Sequence, residues 1–82
     1  MADVTYYVAL PFRASDEGVV AGEPAECQSA SGAIRRAEAL ARMDENAGAV
    51  AFSRTGDPLI GEFQDAVLIK AFGEVPSEFA GF

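Results

Sequence analysis

The sequence predicts an α+β fold: one amphipathic helix packed on a three- or four-stranded, mainly antiparallel sheet, in the order β-β-α-β-β. Three observations lead there. Ala33, Ile34, Ala37, Leu40 and Ala41 form an apolar stripe at helical spacing. Period-two apolar runs lie on both sides of that stripe, around residues 5–12 and 63–72. Half of the 82 residues are hydrophobic, enough for a core and consistent with one domain.

Thr5 to Phe12 is the first strand candidate, with Tyr6, Val8, Leu10 and Phe12 on one face and Tyr7 and Ala9 on the other. Pro11 has no N–H for a ladder, so the strand is expected to end there or lie at an edge. Asp16-Glu17-Gly18 is a turn signal, and Val19-Val20-Ala21 is expected to return as a short second strand. Gly22-Glu23-Pro24 punctuates the chain again, and Ala25 to Gln28 reads as extended. The helix opens at Ser29-Ala30-Ser31-Gly32, where Ser29 or Ser31 supplies the cap. Glu38 precedes Arg42 by four residues, the favourable order for an ion pair. Asp44 and Glu45 oppose the dipole at the far end, and Asn46-Ala47-Gly48 is expected to terminate the helix.

Gly48 to Ser53 reads as the third strand, with Val50 and Phe52 on one face. Thr55-Gly56-Asp57-Pro58 and Gly61 mark a turn, so the next strand should form an antiparallel hairpin with an extended loop. That strand is expected over Phe63 to Phe72, with Phe63, Val67, Ile69 and Ala71 on one face. Ala66, Leu68, Lys70 and Phe72 lie on the other. Residues 1–73 form the domain, and 74–82 form a C-terminal tail that either docks or is mobile. Shared periodicity predicts that Ile34 and Leu40 are buried against Val8, Leu10, Val50, Phe52 or Val67. The alanine stripe should let the helix approach closely, with bulk supplied by the sheet's aromatic and branched residues.

The chain has no histidine, which removes the usual general base, metal ligand and nucleophile partner. Cys27 is the single cysteine, has no basic neighbour in sequence, and is read as a small hydrophobe. A lone cysteine fits a reducing compartment. The first residues carry no basic n-region, and no apolar run is long enough for a membrane span, so a cytoplasmic setting is expected. Net charge is −7, from 13 acids and 6 bases, which disfavours nucleic acid and anionic membrane surfaces as partners. The helix block, residues 30–46, is neutral, so the acidity lies on either side of it.

Asp57, Glu62 and Asp65 match no calcium-loop spacing and read as solvated hairpin charges. No metal or cofactor is expected, and no catalytic residue is assigned. Tyr6, Tyr7, Phe52 and Phe72 lack the basic flanks of a base-stacking sheet and read as core. Arg54 with Thr55 is a possible anion contact, weighed against an ordinary turn.

Four segments carry a resemblance. They are Tyr6-Tyr7-Val8, then Ser29 to Leu40 (Ser-Ala-Ser-Gly-Ala-Ile-Arg-Arg-Ala-Glu-Ala-Leu), then Ala49-Val50-Ala51-Phe52-Ser53-Arg54-Thr55-Gly56-Asp57-Pro58, and Phe72-Gly73-Glu74-Val75-Pro76. Together they resemble a family of short uncharacterised alphaproteobacterial proteins. The resemblance covers most of the chain, implies a bacterial cytosolic protein, and transfers no functional residue.

One helix covers one sheet face, and the other face is expected to carry Tyr7, Leu68 and Phe72. Phe79 and Phe82 of the tail are candidates to cover it, and a partner is the other. The expected function is therefore a non-enzymatic protein-interaction module, self-associating as a homodimer or binding another protein through that face or an exposed strand edge. The alternative is a small-molecule or anion-binding regulator that uses Arg54 and the hairpin loop.

Overall fold

The structure is a computed structural model and describes residues 3–57 and 59–76. It is α+β, with one helix and a curled antiparallel sheet of six strands. The strands are β1 (Val4–Ser15), β2 (Gly18–Ala21), β3 (Ala25–Cys27), β4 (Gly48–Asp57), β5 (Glu62–Phe63) and β6 (Val67–Gly73); α1 (Ala30–Ala41) lies between β3 and β4. The expected order β-β-α-β-β with three or four strands is thus corrected to β-β-β-α-β-β-β with six. Of the two additional strands, β3 lies in the stretch read as extended, and β5 is what remains at the start of the expected strand Phe63–Phe72, which is interrupted at residues 64–66.

The six strands fill four lanes. β1 and β4 are the central antiparallel pair, in register from Val4 opposite Gly56 to Phe12 opposite Gly48. β2 and β3 follow one another along the outer edge of β1, and β5 and β6 do the same along β4. β1 does not stop at Pro11 but continues to Ser15. The reason is local: the Pro11 carbonyl accepts from Gly22 N–H at 2.8 Å. In an antiparallel strand the N–H and C=O of a residue point the same way. The missing N–H of Pro11 therefore faces the break between β2 and β3, where no ladder bond is lost.

Ser29 caps α1, its hydroxyl accepting from Gly32 N–H at 3.0 Å. At the other end the Leu40 carbonyl accepts from the Met43 N–H at 3.2 Å and from the Asn46 side-chain amide at 2.8 Å. The helix ends at Ala41 with Arg42 as its C-cap, short of the expected Asn46-Ala47-Gly48, while Gly48 opens β4 as expected and is buried. A Cβ at Gly48 would collide with the carbonyls of Phe72 and Glu74, so the close approach of β4 to the end of β6 requires glycine.

The helix covers the opposite sheet face from the one expected. Ala33 and Ala37 meet Ala9, Ala49 and Ala51, and Tyr7, Cys27, Ile34, Leu40, Ala41, Ile69 and Phe72 pack around them. The five-residue helix stripe is as expected. Its partners Val8, Leu10, Val50 and Phe52 are not, because they alternate with the alanines and point away from α1. Small residues on both sides let the helix sit close to the strands, and the bulky face turns away. β6 adds a bulge: Ala51 opposes Lys70 while Phe52 opposes Leu68, so Ile69 is the extra residue. The bulge explains why Ile69 and Phe72 both pack on the helix side, although strict alternation puts them on opposite faces.

On the far face, Phe12 and Val50 are only 3% and 0% exposed. The domain boundary expected at residue 73 falls at the end of β6; Glu74 N–H still donates to the Ala47 carbonyl at 2.9 Å, and Val75 and Pro76 are half-buried. No helix among the described residues is long and apolar enough to cross a membrane.

Candidate functional site

Seven large apolar side chains remain exposed among the described residues; three of them, Leu59, Ile60 and Phe63, fall within the connection from β4 to β6, and a fourth, Val67, opens β6. This clustering makes the hairpin the outstanding surface of the molecule, since scattered exposed hydrophobics carry no such meaning. Leu59 is 88% and Ile60 66% exposed.

Local chemistry holds that tip in place. The Asp57 carboxylate accepts from Leu59 N–H at 2.9 Å, and the Asp57 carbonyl accepts from Gly61 N–H at 2.9 Å. The turn thereby closes on aspartate, and its two apolar side chains, Leu59 and Ile60, are left facing water. Beyond the turn, Phe63 pairs with Gly56, where a Cβ would meet the Phe63 ring. The ring lies 6.0 Å from that of Tyr6, tilted by 49°, and carries the Arg54 guanidinium at 5.6 Å from its centroid. Gln64 N–H donates to the Thr55 carbonyl at 2.8 Å and continues the ladder for one bond past β5.

A hollow of about 310 Å³ opens beside this ring, lined by Asp3, Gly56, Asp57, Ile60, Glu62, Phe63 and Gln64. Asp65, also exposed, follows in the chain. The charges of Asp57, Glu62 and Asp65 belong to a hairpin as expected. Among the described residues no group of three or more acidic or cysteine side chains is placed to hold a metal ion.

A second groove of about 240 Å³ lies between α1 and the break in the β2–β3 lane. Arg13, Arg36, Glu23 and Glu45 line it, so its charges balance.

The residues named from sequence are dispersed. Tyr7 and Phe72 pack under the helix, on the covered face. Leu68 lies opposite Phe52 on the far face, half-buried. The three therefore do not form one surface. Phe79 and Phe82 lie outside the described residues. Arg54 and Thr55 belong to β4 and not to a loop. As successive strand residues they point to opposite faces, Arg54 to the Phe63 ring and Thr55 to the Thr5 hydroxyl at 2.9 Å, so the two do not converge on one anion. Cys27 is half-buried beside Ala25, whose carbonyl its thiol contacts at 3.6 Å.

Sequence reading missed Leu59 and Ile60. Their signal was two large aliphatic residues inside a turn bounded by Asp57-Pro58 and Gly61, a place where polar residues are usual.

A scan against protein-family models gives no match, and neither does a search of curated proteins or of solved structures.

Proposed function

We propose that this chain is a non-enzymatic protein-interaction module that docks another protein on the tip of the β4–β6 hairpin. The observation that carries the reading is the exposure of Leu59 and Ile60 next to the Phe63 ring, on a turn fixed by its own hydrogen bonds. Exposed aliphatic and aromatic groups on a rigid support lose little entropy on docking. The hairpin is a stronger candidate for the contact than the far sheet face, because Phe12 and Val50 in that face are already buried within one chain.

The lack of histidine and the half-buried Cys27 support a role without catalysis. The reading includes a bacterial cytoplasmic setting, which the resemblance and the lone cysteine support, and no nucleic-acid or membrane partner, which the net charge of −7 supports.

The test is affinity capture from a bacterial lysate by the wild-type chain and by the double variant Leu59→Ser, Ile60→Ser, with identification of the recovered proteins by mass spectrometry. Both side chains are exposed, so the variant is expected to fold with an unchanged unfolding midpoint. A protein recovered by the wild type and lost by the variant supports the proposal. Recovery of the same proteins by both overturns it.

A further inference from the structure

Resting on the hairpin reading, we infer that the occupant of the hollow beside Phe63 is a protein segment that places a lysine or arginine next to a large aliphatic residue. The hollow is lined by the acidic residues Asp3 and Glu62, with Asp57 holding the turn beside them, and by Ile60 and Phe63. Ionised carboxylates only accept hydrogen bonds, so the occupant must bring donors, and positive charge strengthens each bond. Apolar walls require hydrocarbon at the same place. A lysine or arginine satisfies both, since its stem packs on apolar surface while its head reaches the acids. The adjoining Leu59, 88% exposed and outside the hollow, takes the neighbouring aliphatic residue.

Charge also excludes other occupants. Among the described residues at this hairpin, Asp3, Asp57, Glu62 and Asp65 outnumber the base Arg54. A second copy docking by the same patch sets these acids against themselves, and a nucleic-acid backbone adds more negative charge. Both lose energy where a basic segment gains it.

The test titrates the whole chain with a capped Gly-Lys-Leu-Lys-Leu-Lys-Gly peptide, with its glutamine-for-lysine and glutamate-for-lysine counterparts, and with spermidine, followed by amide chemical shifts. The lysine peptide is expected to move the amides of Ile60, Phe63 and Gln64 and to bind at least about tenfold more tightly than the glutamine peptide, with the glutamate peptide weakest. Raising salt from about 20 mM to about 200 mM should weaken it severalfold, as screening shortens the Debye length. The double variant Asp3→Asn, Glu62→Gln should lose most of the preference. Glu17→Gln, in the β1–β2 turn at the opposite end of β1, should change nothing.

Equal binding of the lysine and glutamine peptides at the hairpin overturns the charge inference and leaves the hairpin reading standing. Equal binding of spermidine makes the hollow a site for any polyvalent cation and overturns the peptide occupant. Shifts spread over all acidic surfaces, or none at the hairpin, also overturn it. The capture experiment with Leu59→Ser, Ile60→Ser then decides separately whether the hairpin itself binds a partner.

Discussion

Ala9, Ala49 and Ala51 sit beneath Ala33 and Ala37 with no accessible surface left on any of the five. Such a layer gains little per residue from burial, but it costs almost no side-chain entropy and brings helix and sheet backbones together. It also leaves no room for growth. Ala51→Leu is expected to destabilise the domain by about 1–3 kcal/mol, the usual cost of forcing extra methylenes into a packed layer. A urea titration checks it, and an unchanged midpoint would remove Ala51 from beneath the helix. Leu40 is only half-buried, at the edge of this layer, so Leu40→Ala should cost about 1–2 kcal/mol, below the range for a fully buried leucine. The alternation of β1 was legible in the sequence, but its phase was not. Both of its faces are apolar, and bulk favours Tyr6, Val8, Leu10 and Phe12 as the core side. The deciding fact is steric: an alanine stripe on the helix fits best over the smaller residues of the sheet.

Elements whose signals are local were the readable ones. The stripe of α1 and the Glu38–Arg42 pair follow from spacing alone, and the pair forms at 3.2 Å between exposed side chains; the start was legible as Ser29 or Ser31, and Ser29 is the cap. The helix end was less legible, because Gly48 resembles a C-terminal glycine but is needed by β6, while Asn46 does the capping through a bond six residues back. The bulge at Ile69 and the two short strands β3 and β5 depend on register against β4 and β1, which no short window of sequence contains. The same limit hid the hollow, since Asp3 joins Glu62 only when the start of β1 pairs with the end of β4. The caps give a test at this scale. Ser29→Ala should cost about 1 kcal/mol, the usual worth of an N-cap hydroxyl. Asn46→Ala should cost about 0.5–1.5 kcal/mol through loss of its bond to the Leu40 carbonyl. Urea midpoints of both single variants and of the double variant check them. The two ends share no partner, so the losses should add.

At the scale of the molecule, the net charge of −7 and the apolar hairpin pull association in opposite directions. Two copies that meet hairpin to hairpin place Asp3, Asp57, Glu62 and Asp65 of one against the same residues of the other. Apolar contact among Leu59, Ile60 and Phe63 favours the pair. At low ionic strength the repulsion acts over a long range, about 30 Å at 0.01 M, and falls to about 8 Å at 0.15 M. Self-association should therefore strengthen as salt rises. A basic partner on the same hairpin behaves oppositely, since the attraction that steers and holds it is what salt removes. Sedimentation equilibrium of the chain alone is expected to give the monomer mass at low salt over a wide concentration range, with any association appearing only at high salt. A dimer that is stable at low salt and dissociates as salt is added would mean that two copies meet through complementary charges. The contact would then lie away from the acidic hairpin, and the charge-balanced groove carrying Arg13, Arg36, Glu23 and Glu45 would be the surface to mutate next.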